Sequence, residues 1–412
     1  TKPPPPQVYY SIIVELKNLD KAARRITRAV KDGERIILYG DADVDGAVSV
    51  VILQEAIERL GLCPVSVYFP DREKEGYGLN KKALKFLAKK SPALLITLDC
   101  GIGNVAEVAM AKELGFEVMI LDHHQVLAKM PSASIIVDPR QKGEKYPFKE
   151  FACAGIIYRL AKVLLAQKCL RGSGDVSLAP FSEITAIATL FDQVPMVGEN
   201  KKLIKEGLLA LPYTQRPGII ELMKILHFNA KVSSLHGLDL PGEAIDEARA
   251  KIVSPLAAGL VKSHISETYS FLREKNPVAA KKIARLLIKK AAVKKETIKK
   301  MFAQAEAKMK DSAALVFIGS SSWPVPYLGP TASKICQKHK LPCYLFKRGK
   351  TESKGAIRVP AGFDAVQSMI YCDHLLIPGY GGHAPAAGFT IKNKNLAKFE
   401  QCLIEYFQRL SD

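Results

Sequence analysis

From residue 35 to about 195, short apolar runs alternate with stretches of helical periodicity. The runs are RIILYG (35–40), PVSVYF (64–69), ALLITLD (93–99), EVMILD (117–122) and ASIIVD (133–138). Each is short, rich in aliphatic residues and bounded by polar or turn residues, as strands buried on both faces are. Helical patterns fill about 47–60, 80–90, 104–114, 153–168 and 182–191. Strands alternating with helices predict an α/β unit with a mainly parallel sheet covered on both sides. From about 263 the pattern turns helical and rich in Lys and Ala, as in KKIARLLIKKAAVKKETIKKMFAQAEAKMK (281–310), which reads as a long connecting helix. A second, smaller α/β unit starts at ALVFIGSSSW (314–323) and includes LPCYLFKRG (341–349) and HLLIPGYGGHAPAAGFTI (374–391). The predicted division is 1–260, 261–311 and 312–412, and no internal repeat is visible.

Composition narrows the class. A chain of 412 residues supports two or three domains. No apolar run reaches the roughly 18 residues of a membrane span, and no signal peptide is seen, so no membrane partner is expected. The eight cysteines form no CxxC pair. They imply neither a zinc site nor a disulfide framework, and reduced thiols in a cytoplasm fit best. KPPPPQ (2–7) reads as an extended arm. With 60 basic against 41 acidic residues the formal charge is +19, which calls for a polyanionic partner.

Against that basic background, DADVDG (41–46) packs three carboxylates two residues apart. Asp41, Asp43, Asp45 and Gly46 match the start of a calcium-binding EF-hand loop, but its twelfth position is Ile52 rather than Glu, and a strand precedes it instead of a helix. A solvated acidic turn is the plainer alternative. The other strand ends decide between them. ALLITLD ends on Asp99, and EVMILD ends on Asp122 followed by His123 and His124. Parallel sheets carry their sites beyond the carboxyl ends of their strands. One such Asp could be a helix cap, but three such strand ends converge on one place. Carboxylates with imidazole suit manganese, magnesium or zinc, and two ions about 4 Å apart would clamp a phosphate.

Together YGDADVDG, DREKEGYGLN, LDCG, LDHHQV, IATLFDQVPMVGEN (187–200) and GYGGHAPAAGF (379–389) resemble, in order, the motifs of the DHH phosphoesterase superfamily, specifically its RecJ-like single-strand exonucleases. The resemblance implies a DHH domain with a two-metal centre, a long linker helix, a DHH-associated substrate-binding domain, and two Mn2+ or Mg2+ ions per site. It implies Asp43, Asp45, Asp99, His123 and Asp192 as metal ligands, Asp99 bridging, and Asp41 as a further acid of the first motif. His124 is implied near the scissile phosphate, and Asp122 as the acid that orients a histidine; with Asp99 they form the expected catalytic set. Lys354, Arg358, Gly381, Gly382 and His383 are the expected substrate-binding residues, Arg358 through its fork. Tyr39 stands where many relatives carry His. Leu256 and Leu260, in and after SPLAAG (254–259), stand where relatives carry arginines. Nothing after 392 reads as an OB-fold.

The expected function is exonucleolytic hydrolysis of single-stranded DNA or RNA, 5′ to 3′, in replication or repair, with proteins of those processes as possible partners. The alternatives are a phosphodiesterase for short oligonucleotides or cyclic dinucleotides and a replication scaffold without nuclease activity. GYGLN (76–80) reads as a phosphate-binding turn or a plain one. Trp323 could stack a base, though packing is the simpler reading, and the basic helix could serve as an electrostatic track.

Overall fold

The computed structural model describes residues 15–72, 74–126, 129–169, 178–229, 242–309, 314–377 and 380–410. The arm at 2–7, Lys310 and Gly379 lie outside them.

The first unit opens with α1 (Leu19–Lys31), β1 (Ile36–Gly40), α2 (Val44–Leu60), β2 (Val65–Tyr68), α3 (Lys81–Leu87), β3 (Ala93–Leu98), α4 (Val105–Glu113), β4 (Phe116–Leu121) and β5 (Ile135–Val137). All pairings are parallel, in the order β2-β1-β3-β4-β5. Alternate residues of one strand enter different cores. Ile36 and Leu38 join Leu94, Ile96 and Leu98 in a core with α1 and α2. Ile37 and Tyr39 join Leu95 and Ile120 in a second core with α3 and α4. The period of two along a strand produces this split, and burial on both faces explains why the runs show no polar alternation. The chain leaves β1 towards β2 on one side and returns to β3 on the other. The order therefore reverses between β1 and β3, which opens a crevice at their carboxyl ends.

Helices α5 (Cys153–Cys169), α6 (Ala179–Asp192), α7 (Gly198–Ala210), α8 (Pro217–Ile225), α9 (Gly242–Ala248) and α10 (Ser254–Leu256) enlarge the first core. A two-stranded ribbon of β6 (Val261–Lys262) and β7 (Ile265–Ser266) leads into α11 (Glu267–Arg273) and α12 (Pro277–Glu306). Asn276 caps α12 by accepting from the Val278 and Ala279 N–H groups, with Pro277 at its first position. At 30 residues α12 is about 45 Å long by the usual rise. Ala284 and Leu287 belong to the first core, Met301 and Ala305 to a core of the second unit.

The second unit holds β8 (Val316–Ser320), α13 (Leu328–His339), β9 (Cys343–Arg348), β10 (Glu352–Arg358), α14 (Ala365–Tyr371), β11 (Gly381–His383), β12 (Ala386–Lys392) and α15 (Leu396–Arg409). The sheet order is β11-β12-β10-β9-β8, with only β8–β9 parallel. Trp323 is 1% exposed and donates to Gln304 Oε1 at 2.7 Å, so it packs rather than stacks a base. The cysteines depart from expectation. Cys372, after α14, is bonded to Cys402 of α15, with Cα atoms 6.2 Å apart. The partners are 30 residues apart and meet because two helices lie side by side, which no spacing rule encodes. Among the described residues, no helix is long and apolar enough to cross a membrane.

Candidate metal centre

The acids meet at the crevice between β1 and β3. Asp43 caps α2, its Oδ1 accepting from the Gly46 N–H at 3.1 Å. A Cβ at Gly46 would lie 2.4 Å from the Asp41 carbonyl oxygen, so only glycine lets the acidic loop close on the helix start. Asp45, in the first turn of α2, accepts from the Cys153 and Ala154 N–H groups at 2.7 and 2.8 Å, where α5 begins. Asp99 follows β3 with a φ of 63°, a conformation Asp adopts only at some cost and often at functional sites. Asp192 is the last residue of α6.

His123 and His124 follow β4. His123 Nδ1 lies 2.8 Å from the Phe151 carbonyl oxygen. A carbonyl can only accept, so the proton sits on Nδ1 and the neutral ring turns the lone pair of Nε2 outward. That atom lies 3.1 Å from Asp99 Oδ1 and 3.8 Å from both Asp45 Oδ2 and Asp192 Oδ2. Burial and the neighbouring His124 push the His123 pKa down to about 3, which keeps the ring neutral. His124 is oriented by Asp122, with Nδ1 to Oδ1 at 2.7 Å. Asp122 also accepts from the backbone N–H groups of Ile102, His123 and His124. Burial opposes its ionisation, yet His124 and these donors hold its carboxyl below the usual range.

The other carboxyls are displaced upward. Burial is the first cause for Asp43, Asp45, Asp99 and Asp192, and neighbouring carboxylates add to it for the last three; Asp45 reaches about 7. The buried Asp99 Oδ1 accepts no hydrogen bond among the described residues. Three overlapping groups bring ligand atoms within 4.8 Å of one another: Asp99–His123–His124, Asp45–His123–Asp192 and Asp41–Asp43–Asp99. Lone pairs face lone pairs here, which divalent cations would reverse from a cost to a gain. The donor set of carboxylate oxygens and imidazole fits manganese or magnesium.

The expected ligand Asp41, and Tyr39 at the position where many relatives carry His, have other partners. Asp41 is held by Arg72, whose Nε donates to Oδ1 at 2.9 Å and whose Nη2 donates to Oδ2; the Ala42 N–H adds a bond to Oδ1 at 2.8 Å. The same Arg72 reaches Asp43 Oδ2 at 2.9 Å. Tyr39 sends its hydroxyl to the Gly78 carbonyl oxygen at 2.9 Å and stacks on Tyr68, on the α3–α4 side of the sheet. It is therefore packing and not a ligand. GYGLN is tied to β1 and to the start of α4: Asn80 caps α3 and donates to the Tyr39 hydroxyl, and the Leu79 N–H donates to Asn104 Oδ1. Its Tyr77 was not anticipated. The Tyr77 hydroxyl lies 3.1 Å from His124 Nε2 and 3.2 Å from the Asp99 carbonyl oxygen. Arg72 and Tyr77 both lie in DREKEGYGLN, whose order in the chain was visible but whose approach to the acids was not.

The expected substrate-binding residues lie on β10 to β12 of the second unit. Arg358 donates through Nε to Ser333 Oγ at 3.0 Å and through Nη1 to the Ile357 carbonyl at 2.8 Å. Burial lowers its pKa and the field of Asp192 opposes that. Lys354 is exposed on the same strand, opposite Lys347 of β9 and Thr390 of β12. In the adjoining rows Gly381 pairs with Gly388, and His383 with Ala386, itself opposite Arg358. The His383 side chain is outside the described residues. Gly381 has open space where a Cβ would be, and a Cβ at Gly382 (φ 151°) would lie 2.3 Å from the Ala386 carbonyl oxygen.

The chain is similar in sequence and fold to known proteins. Residues 35–189 match the model of the DHH family, N-terminal domain. The chain is 32% identical to the single-stranded-DNA-specific exonuclease RecJ of Bacillus subtilis over 95% of its own length and 48% of that protein. It is 27% identical to the Thermus thermophilus enzyme of the same name over 97% of itself and 56% of that protein. The chain thus spans about half the length of these two curated relatives. A crystal structure of exonuclease RecJ bound to manganese superposes with a TM-score of 0.73 at 26% identity, covering 96% of this chain and 95% of that one.

Proposed function

We propose that the chain is a RecJ-like member of the DHH superfamily and, on that premise, a metal-dependent exonuclease of single-stranded nucleic acid, digesting DNA 5′ to 3′. One observation carries the reading: the ligand atoms of four carboxylates and an imidazole lone pair converge at the carboxyl edge of a parallel sheet, with Asp45, Asp99 and His123 buried and Arg72 paired to Asp43. Asp43, Asp45, Asp99, His123 and Asp192 would hold two Mn2+ or Mg2+ ions, with Asp99 shared. When bound, such ions clamp a phosphate and make water a better nucleophile. Phe151 fixes the His123 tautomer so that Nε2 is a ligand atom. Asp122 and Tyr77 aim His124 at the phosphate, where it would stabilise charge or carry a proton. Arg72 neutralises Asp41 and keeps that acid in reserve rather than in the ligand set. Arg358 grips the strand backbone from the second unit, Lys354 adds charge, and the Gly381–Gly382 backbone allows close approach; His383 is assigned the same surface. The working division is a metal-holding unit to about residue 260, a linker, and a substrate-binding unit from about 312. A setting in DNA replication or repair, with proteins of those processes, follows from the same reading.

The test is digestion with Mn2+ of 5′- and 3′-labelled strands of DNA and RNA. Release of the 5′ label first, as a mononucleotide, is expected. An intact strand in every condition would refute the hydrolase reading, and release from the 3′ end would reverse the polarity.

A further inference from the structure

The ligand group Asp45–His123–Asp192 takes its geometry from two stretches of chain. Residues 150–154 set two of its members: the Phe151 carbonyl fixes the His123 ring, and the Cys153 and Ala154 N–H groups hold Asp45. The third member, Asp192, ends α6 and opens the turn that leads to α7 at Gly198. None of residues 192–197 is buried, so burial does little to fix where that turn lies. A side chain joins the two stretches. Asn200, in the first turn of α7 and 0% exposed, donates through Nδ2 to the Glu150 carbonyl oxygen at 2.5 Å and to the Pro195 carbonyl oxygen at 3.0 Å. Carbonyls only accept, so the amide nitrogen faces them and both of its hydrogens are used. Glu150 immediately precedes Phe151, and Pro195 stands three residues after Asp192. Arg140 clasps the same place from the other side, donating through Nη2 to Glu150 Oε2 at 2.9 Å and through Nε to the His123 carbonyl oxygen at 3.3 Å. The group Asp41–Asp43–Asp99 draws on different stretches, those just after β1 and β3.

We propose that Asn200 is a positioning residue for one of the two metal sites: by tying the Glu150 carbonyl to the Pro195 carbonyl it keeps Asp192 beside Asp45 and His123. This rests on the metal-dependent reading above. Asp45 and Asp192 repel each other until a cation is bound, and a tie that holds their stretches together lessens the rearrangement that binding requires. The other site has no such dependence on Asn200. A residue that only stabilised the unit would disturb both sites together or neither.

The experiment titrates Mn2+ calorimetrically into the metal-free full chain, comparing wild type, Asn200→Leu, Asn200→Ala and Asp192→Ala, with melting temperatures measured beside. Asn393→Ala is the control, because Asn393 Nδ2 likewise donates to two backbone carbonyls, those of Gly349 and Lys350, in the second unit. Both Asn200 variants should bind one Mn2+ about 10- to 100-fold more weakly, the range for losing a partner that orients a ligand. The other Mn2+ should stay within about threefold of wild type. The weakened step should be the one that Asp192→Ala weakens, and hydrolysis by the Asn200 variants should recover at saturating Mn2+. Asn393→Ala should leave both Mn2+ steps as in wild type, whatever it does to the melting temperature. Equal weakening of both steps in the Asn200 variants would overturn the proposal. So would loss of the fold in both, since either result marks a residue that serves the unit as a whole. If the wild type takes up two Mn2+ and Asn200→Leu matches it, the proposal alone fails. If the wild type takes up none, the metal reading itself fails and the proposal falls with it.

Discussion

The two surfaces that the proposal assigns to chemistry and to strand binding are built in opposite ways. On the first unit, backbone atoms set several of the acids and one histidine. Asp45 is fixed by two N–H groups of α5, Asp122 by three, and His123 by the Phe151 carbonyl. On the second unit, Arg358 is held by one serine hydroxyl and its own strand, Lys354 is exposed, and Gly381 offers empty space. Rigid, buried ligands preset the geometry that chemistry needs. Long cations and bare backbone suit a chain of phosphates whose sequence does not matter. The first surface should therefore govern turnover, and the second should govern binding.

The largest effect that could break this contrast belongs to Asp99. Asp99→Ala should reduce hydrolysis by about 10³-fold or more, the scale for losing a main electrostatic stabiliser of a transition state. Strand binding should remain, and the metal-free protein should melt no lower than wild type, because a buried uncompensated acid is gone. Comparable turnover at saturating Mn2+ would mean that Asp99 does not anchor the centre.

His123→Ala and His124→Ala sharpen the contrast within the first surface. His124→Ala should lose about 10²- to 10⁴-fold in kcat, the range for a lost acid–base group, while Mn2+ affinity stays close to wild type. His123→Ala should weaken Mn2+ binding itself, read by calorimetric titration. Equal losses of affinity in the two would show that the roles are misassigned.

Arg358→Ala tests the opposite surface. Strand binding should weaken by about 1.5–3 kcal/mol, and the slope of log affinity against log salt should fall by about one. Mn2+ affinity should not move. A kcat effect without a KM effect would place Arg358 with the chemistry instead of the grip.

The smallest effect is expected at Tyr39. Its hydroxyl bonds the Gly78 carbonyl and not an acid of the centre, so Tyr39→Phe should leave hydrolysis within about twofold and cost ~1 kcal/mol of stability, measured by urea unfolding. Loss of Mn2+ affinity in this variant would return Tyr39 to the ligand set.

Much of the first unit could be read from the chain because its signals are local. A strand buried on both faces shows as a short apolar run, and a site beyond its carboxyl end shows as the polar residues that follow. Asp43, Asp45, Asp99 and His123 were legible for that reason, and the five strand runs lie within two residues of β1 to β5. The resemblance to a known family supplied roles that spacing could not, including Asp192 at the end of a helix and Arg358 in a separate unit.

What tertiary structure decided depends on which distant segments meet. The reversal of strand order between β1 and β3 puts Asp43 beside Asp99, and no local pattern specifies strand order. The loop that carries Arg72 folds back on the acids, so Asp41 receives a guanidinium. One residue's shift along β1 selects the opposite face, so Tyr39 packs into the core with α3 and α4 while the acids just beyond the strand converge. The Cys372–Cys402 bond and the reach of Lys294 to Ala257 arise in the same way, from helices laid side by side. Periodicity states which face of an element is apolar, whereas the partner of a long polar side chain is set by packing between elements far apart in sequence, which is why only the folded chain reveals it.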